Sequence, residues 1–241
     1  MNRINVQKGL PPALLLALLT FLILCPLVTV FAEAVVVDGR LDLYQAWGII
    51  ASSENVRTIY NSLLLGVCVV LCSTVIAVPT AFVLARTQLA RHGWLDIVFM
   101  IPFMTPPYIA SMGWILFMQK RGLFQQLFPS TGAWSENFFC FGGLVLVMSL
   151  HVFPFLMTML KNAMLNIPAS LEESGAVFGA GAAMRTRKIL APLLTGNYAI
   201  GALLVFVKTL SEYGTPYTLG RRIGFYVFTT DIHRYSTTAP I

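Results

Sequence analysis

The sequence predicts an all-α membrane protein, a polytopic bundle of five transmembrane helices in a single domain. Hydrophobic residues make up 57% of the 241 residues and charged residues only 11%. A typical soluble domain carries roughly 25% charged residues, so this chain cannot cover its own surface with polar groups. Five stretches of 19 to 28 residues contain no Asp, Glu, Lys or Arg, and about 20 mostly apolar residues cross a bilayer as a helix.

The five predicted spans follow these stretches, at residues 11–32, 58–85, 97–119, 137–160 and 192–211, and the last of them continues past Lys208. Strands of a membrane barrel would be about 10 residues long and would alternate apolar with polar residues, which these stretches do not. The first span follows Arg3 and Lys8, as a signal peptide would. Its apolar run exceeds the roughly 7–15 residues of a signal-peptide core, so we expect a retained anchor.

The remaining composition excludes several other classes. The net charge of +6 indicates contact with the headgroups of a lipid bilayer and not with nucleic acid, because no segment interleaves basic and aromatic residues. The cysteines lie inside apolar segments and predict no disulfide framework. The histidines have no carboxylate or thiol at metal-ligand spacing, so no metal site is predicted. No GxxxxGK[ST] motif occurs, so we expect no ATP to bind by that route.

The loop between the fourth and fifth spans, residues 162–191, carries a helix start signal. Ser170 is a favourable N-cap, and Glu173 three residues later completes a capping box. Gly179 stands where a glycine ends a helix in the left-handed conformation. The loop therefore predicts a helix of about two turns, too short to be stable in water without packing against its own domain or a partner.

This short helix is expected to present a small apolar face and an acidic N-terminal end. The face consists of positions three and four residues apart: Leu171, Ser174, Gly175 and Phe178. Glu172 and Glu173 lie in the region that the helix macrodipole makes favourable for carboxylates, and they can meet basic residues of a partner.

The residues of this loop resemble the EAA loop of ABC-importer permeases. In that family the pattern is Glu-Ala-Ala, three residues, Gly, nine residues, Ile, one residue and Leu-Pro. The spacing here is the same, with identity at Glu173, Gly179, Ile189 and Pro192. Small-residue changes stand at Ser174, Gly175 and Ala191, and the glycine should weaken the helix by up to about 1 kcal/mol relative to alanine.

The resemblance implies a type I ABC-importer permease fold with a cytoplasmic coupling helix. It implies a bacterial inner-membrane protein with a cytoplasmic N-terminus and no catalytic residue or cofactor of its own, ATP-Mg being bound by a partner. The implied partners are a cytoplasmic ABC ATPase dimer, a second permease half (fused or separate) and a periplasmic substrate-binding protein. The residues implied to couple to the ATPase are Ser170, Glu172, Glu173, Ser174, Gly175, Gly179, Ile189 and Pro192.

Other segments look like the same superfamily, including Asn61-Ser62-Leu63 at the start of the second span. The tail, with Ser211-Glu212-Tyr213-Gly214-Thr215-Pro216 and residues 224–232, is similar to the ferric-iron branch. In that branch one polypeptide often carries two six-span halves, so we expect a fragment that lacks its last helix and a ferric cargo. Thiamine, phosphonate, polyamine and sulfate remain alternative cargoes.

Four residues are candidates for a translocation path. Pro106 and Pro107 interrupt the third span, and broken helices often line substrate paths, although kinking for packing is an equal alternative. Lys208 and Glu212 lie four residues apart at the end of the fifth span, where they can pair, snorkel or face the path. A secondary transporter would also have broken helices, but should show an inverted repeat and an ion-coupling carboxylate within a span, and neither is evident.

Overall fold

The computed structural model describes residues 12–37, 40–41, 43–91 and 93–238. The chain divides into two units between Val56 and Arg57. The first unit contains α1 (Pro12–Val35), a two-residue antiparallel pair of strands, β1 (Val36–Val37) and β2 (Arg40–Leu41), and α2 (Leu43–Ile50). The side chains described in α1 are exposed over most of its length, as expected for an apolar helix that relies on lipid or a partner for cover.

The second unit is built from helices that follow the long α3 (Ser53–Arg86), whose first residues belong to the first unit. Its longer helices are α4 (Trp94–Met104), α5 (Pro107–Met118), α8 (Phe141–Leu165), α11 (Ala191–Ser211) and α12 (Phe228–Thr238). Its shorter helices are α6 (Leu123–Leu127), α7 (Gly132–Phe138), α9 (Ala169–Val177) and α10 (Ala182–Arg185).

Within the described ranges, four helical stretches are long and apolar enough to cross a membrane: Leu14–Val35, Ser53–Arg86, Phe141–Leu165 and Ala182–Ser211. A fifth crossing arises if Trp94–Met104 and Pro107–Leu127, which meet at 90°, form one broken span. The predicted all-α bundle of membrane spans is therefore confirmed. The predicted boundaries of the single domain stay a prediction.

Several helices differ in extent from the predicted spans, and α3 begins at Ser53, five residues before the predicted start. The third stretch is not one continuous helix, because Thr105 takes an extended conformation with ψ of 132°. The ring of Pro106 disfavours a helical conformation at the residue before it, and neither Pro106 nor Pro107 has an N–H to donate. The fourth helix begins at Phe141 and continues to Leu165, because residues 132–138 form the separate helix α7.

The central helix of the second unit is α8. Its most apolar stretch is 72% buried, against 28% for α3 and 22% for the α10–α11 stretch. Ser149 on α8 donates its hydroxyl to the Val69 carbonyl at 3.3 Å, and Ser73 on α3 donates to the Ser149 carbonyl at 3.5 Å. Such hydroxyl bonds hold helices together in a medium without water. The helices α4, α5 and α11 also pack against α8, which is therefore central to this unit.

Candidate functional site

The first candidate site is the elbow, which we define as residues 169–190, from the start of α9 to the turn before α11. Its helix begins at Ala169, with Pro168 as N-cap and no side-chain capping bond. The predicted capping box of Ser170 and Glu173 is therefore wrong. Pro168 has φ of −58° and ψ of 132°, and its carbonyl accepts the Leu171 N–H at 3.2 Å. The helix consequently starts two residues earlier than predicted and places Ser170 inside the first turn.

The end of α9 confirms the predicted glycine stop. Gly179 has φ of +80°. Its N–H donates to the Ala176 carbonyl at 2.9 Å, and the Ala180 N–H donates to the Gly175 carbonyl at 2.9 Å. These two bonds are the Schellman pattern, which requires a left-handed residue at the position of Gly179. The turn reverses the chain and directs it back towards the membrane helices.

The acidic end of α9 is attached to the chain's own membrane helix. Arg86, the last residue of α3, places Nη2 2.7 Å from Glu172 Oε1, and the two side chains are only 19% and 23% exposed. Arg185 adds a hydrogen bond from Nη1 to the Glu172 carbonyl at 3.3 Å. The prediction that Glu172 meets a partner's basic residue is thus corrected, because the carboxylate already has a basic neighbour. Glu173 remains exposed.

The small residue at position 175 allows the two arms of the elbow to touch. A Cβ atom on Gly175 would lie 2.9 Å from Ile189 Cδ1 and 3.4 Å from Arg185 Cγ. Ile189 lies in a π-helical turn, Thr186–Leu190, whose wider loop is closed by the Ala191 N–H on the Thr186 carbonyl. Pro192 follows directly and has no N–H to continue a regular α-helical ladder. Gly175 and Ile189 therefore pack against each other just before the start of α11.

The outer surface of the elbow is apolar and uncovered. Phe178 is 90% exposed, Val177 85% and Leu171 45%. The predicted face of Leu171, Ser174, Gly175 and Phe178 is divided in the structure, because Gly175 packs inward while Phe178 points away. Ser174 donates its hydroxyl to the Ser170 carbonyl at 2.7 Å. Two large apolar side chains at the tip of a polar loop are typical of a contact surface for another protein.

The second candidate site lies around the break between α4 and α5. Lys208 places Nζ 5.0 Å from the ring centroid of Phe103, and the same ring stacks on His151 at 6.0 Å and on Phe155 at 5.8 Å. The predicted pairing of Lys208 with Glu212 is not found, since no ion pair joins these two described residues. Phe103 was missed by the sequence analysis, because nothing distinguishes it from the other aromatic residues of the third stretch.

Glu212 is a buried carboxylate, 8% exposed. Its Oε1 accepts bonds from the Thr215 hydroxyl at 2.6 Å and the Thr215 N–H at 3.2 Å. Its Oε2, like Nδ1 of His151, is buried without a hydrogen-bond partner in the described part of the chain. Among the described residues no group of three or more His, Cys, Asp or Glu could hold a metal ion. The arrangement places buried polar atoms without a hydrogen-bond partner near the break between α4 and α5.

Pro106 and Pro107 lie at the break itself, as N-cap and first residue of α5. The backbone of Gly214, two residues after Glu212, approaches the start of α5 so closely that a Cβ atom there would lie 3.1 Å from the Tyr108 nitrogen. Ser111 and Thr218 hydroxyls are 2.7 Å apart across the same contact. The structure therefore brings the α4–α5 break and the segment after α11 together.

The start of α3 is tied to the tail by two further bonds. Asn61 donates its side-chain amide to the Tyr226 carbonyl at 2.9 Å, and the Phe228 N–H donates to the Ser62 hydroxyl at 2.9 Å. Asn61-Ser62 and the tail were noted separately in the sequence. No feature of the sequence indicates that these two segments meet.

No known family profile matches the chain. A putative ferric transport system permease protein, FbpB 1 of Haemophilus influenzae, is 28% identical over 225 residues, which cover 92% of this chain and 35% of the relative. The ferric permease FbpB of Actinobacillus pleuropneumoniae is also 28% identical, over 92% of this chain and 32% of its own length. The molybdenum transport permease ModB of Mycobacterium tuberculosis is 26% identical over 82% of this chain and 75% of its own length.

Among solved structures, the methionine ABC transporter MetNI in an inward-facing conformation has a similar fold. The TM-score is 0.54 at 18% identity, over 75% of this chain and 79% of that chain. The helical fold is similar to that of a solved ABC transporter, and the sequence is similar to permeases of transport systems over 92% of the chain. The similarity to the two ferric permeases is 28% identity, and that to the molybdenum permease is 26%. The chain spans about a third of the length of the two ferric permeases that it matches.

Proposed function

We propose that this chain forms a membrane-spanning part of an ATP-driven bacterial importer and couples cargo movement to a separate ATPase. The observation that supports the proposal most directly is the elbow. Its short helix α9 ends at the exposed Val177 and Phe178, and the elbow contacts the end of α3 and continues into the start of α11. A force applied to its tip would reach both membrane helices through the contacts of Glu172 and Gly175. This is mechanical coupling, and ATP-Mg would be bound and hydrolysed on the partner subunit.

The proposed assembly contains a cytoplasmic ABC ATPase dimer, a second permease half and a periplasmic binding protein. The elbow faces the cytoplasm in this arrangement, which also places the N-terminus on the cytoplasmic side of the inner membrane. The residues proposed to act in the coupling elbow are Ser170, Glu173, Ser174, Gly179, Ile189 and Pro192 together with Glu172 and Gly175. Of these, Glu173 is exposed beside the apolar tip and is proposed to meet basic residues of the ATPase.

The proposed passage runs past the α4–α5 break. Pro106 and Pro107 interrupt the helix there. Backbone carbonyl groups that lose a helical hydrogen bond at the break can then face a polar path. The buried Glu212 with its unpartnered Oε2 and the nearby Lys208 supply opposite charges beside that break. Ionisable groups placed within a membrane protein are costly and commonly mark the route of a polar cargo.

The proposed cargo is ferric iron. This rests on the similarity to ferric permeases over 92% of the chain. Relatives named for other cargoes, including a probable sulfate permease of Chlorokybus atmophyticus at 24% identity and the molybdenum permease, keep sulfate and molybdate as alternatives. Thiamine, phosphonate and polyamine are further alternatives.

The test is uptake by membrane vesicles that contain the assembled transporter, its ATPase and its binding protein. We expect uptake of labelled ferric iron that requires ATP and stops with a catalytically dead ATPase. Labelled sulfate and molybdate, measured in the same vesicles, decide between the cargoes. Uptake that continues without the ATPase and collapses with the proton gradient would favour a secondary transporter and overturn the proposal.

A further inference from the structure

Behind the elbow lies an apolar groove of about 720 Å³, bounded by α3, α8 and the start of α11. Phe82 of α3, Leu160 of α8 and Leu194 of α11 form its walls, and Ala191 stands on its rim. The groove is separate from the exposed tip of the elbow and from the α4–α5 break, and the coupling mechanism does not use it.

The walls of the groove offer no buried polar atom that still needs a hydrogen-bond partner among the described residues. Two polar side chains of α11 line the groove: the Tyr198 hydroxyl shares a hydrogen bond of 3.0 Å with Thr74 Oγ1, and the Thr195 hydroxyl donates to the Pro192 carbonyl at 2.7 Å. No lining side chain is among the described buried polar atoms that lack a partner. An occupant that makes only van der Waals contacts is therefore favoured, and in a bilayer an unfilled apolar groove of this size is accessible to hydrocarbon chains.

One end of the groove is cationic. Arg187 lines it, and the next residue, Lys188, is exposed beside it. Neither forms an ion pair with any carboxylate of the described ranges. An occupant with an apolar body and an anionic head matches this arrangement, and basic pockets between membrane helices bind the headgroups of anionic lipids.

We propose that the groove binds an anionic phospholipid, with one acyl chain between α3, α8 and α11 and the phosphate on Arg187. A second permease helix is the other possible occupant. The cation at one end favours the lipid, because an ordinary membrane helix presents apolar side chains at that depth and offers no partner for a guanidinium. The bound lipid would support the inner side of the elbow, where Ala183 and Thr186 border the groove.

The test is native mass spectrometry of the assembled transporter, released from nanodiscs of phosphatidylglycerol or of phosphatidylcholine. We expect retained phosphatidylglycerol, and about fivefold lower occupancy in Arg187→Gln, the effect of one basic residue at a lipid surface. Lys188→Gln is the matched control, since it removes an adjacent charge that does not line the groove, and should change occupancy much less. Equal losses in both variants would indicate a diffuse surface charge and overturn the site.

The apolar part is tested separately. Ala191→Phe fills the rim of the groove and should remove the retained lipid, whereas Leu193→Phe, at an exposed position outside the lining, should retain it. Phosphatidylglycerol with a photoreactive acyl chain should label peptides containing residues 78–83 and 191–198. Labelling elsewhere only, or a partner helix cross-linked at these positions, would overturn the proposal. These readouts need no transport activity, so they fail or succeed independently of the proposed function.

Discussion

Arg86, at the end of the membrane helix α3, forms an ion pair of 2.7 Å with Glu172 of the elbow helix. The pair joins residues 86 positions apart in the sequence, and both side chains are largely covered. It links the exposed tip to a helix that crosses the membrane, so the elbow cannot move far without α3.

Reversing one charge of this pair should uncouple the elbow. Arg86→Glu leaves two carboxylates facing each other, and we expect about a tenfold loss of ATP-driven uptake, the equivalent of roughly 1.4 kcal/mol of lost coupling. The double variant Arg86→Glu with Glu172→Arg should recover much of the uptake. The control is Glu136→Lys, which breaks the exposed pair with Lys120 (59% and 79% exposed) and should have little effect. No recovery in the double variant would contradict a role for the pair itself.

Gly179→Val should abolish transport while the protein still inserts in the membrane. A β-branched residue at φ of +80° is strained by about 1–3 kcal/mol, which is enough to unwind the end of a nine-residue helix. Gly179→Asn is the control, since asparagine adopts this conformation more readily, and it should keep partial uptake. Vesicle uptake and membrane levels measure both, and full uptake by Gly179→Val would refute the proposed need for this turn.

Removing the apolar tip should weaken binding of the ATPase. Phe178→Ser is expected to reduce co-purification of the ATPase by about tenfold, since a buried aromatic side chain contributes about 2 kcal/mol or more at an interface. Trp134→Ser is the matched control, because Trp134 is also exposed (72%) but lies outside the elbow. A similar loss in both variants would show that the tip is not a specific contact.

Glu173→Lys should also weaken co-purification, and its effect should fade as salt is raised. The exposed carboxylate is proposed to face basic residues across an interface, and such contacts are screened over about 10 Å at 0.1 M salt. Glu33→Lys, at an exposed position of the first unit, serves as the charge-matched control. An effect of Glu173→Lys that is independent of salt would contradict an electrostatic contact.

Glu212→Gln should lower uptake without preventing assembly. The amide can still accept the two bonds from Thr215, so the fold is preserved, but the charge beside the proposed passage is lost. We expect about a tenfold decrease of uptake, with unchanged co-purification of the ATPase. Thr215→Val, which removes the hydroxyl bond and keeps the charge, should have a smaller effect. Normal uptake by Glu212→Gln would exclude the carboxylate from the cargo path.

The spans were predictable from the length of the uncharged stretches, and the end of α9 was predictable from a glycine that tolerates a left-handed turn. Both are properties of the local sequence. The start of α9 was not predictable, since Pro168 and Ser170 are both plausible boundary residues and only the backbone shows which one acts. The residues that contact Glu172 and Gly175 could not be predicted from the sequence either. Arg86 and Ile189 meet them through the packing of the second unit, and no periodicity in the sequence encodes those contacts.

The most direct test is photo-cross-linking from the elbow in the assembled transporter. One variant carries benzoylphenylalanine in place of Phe178, and a separate control variant carries it in place of Trp134. We expect position 178 to cross-link to the ATPase subunit with a yield that changes when ATP is bound, and position 134 not to cross-link to it. Cross-links from position 178 to lipid alone, or access to that position from the periplasmic side, would contradict this expectation.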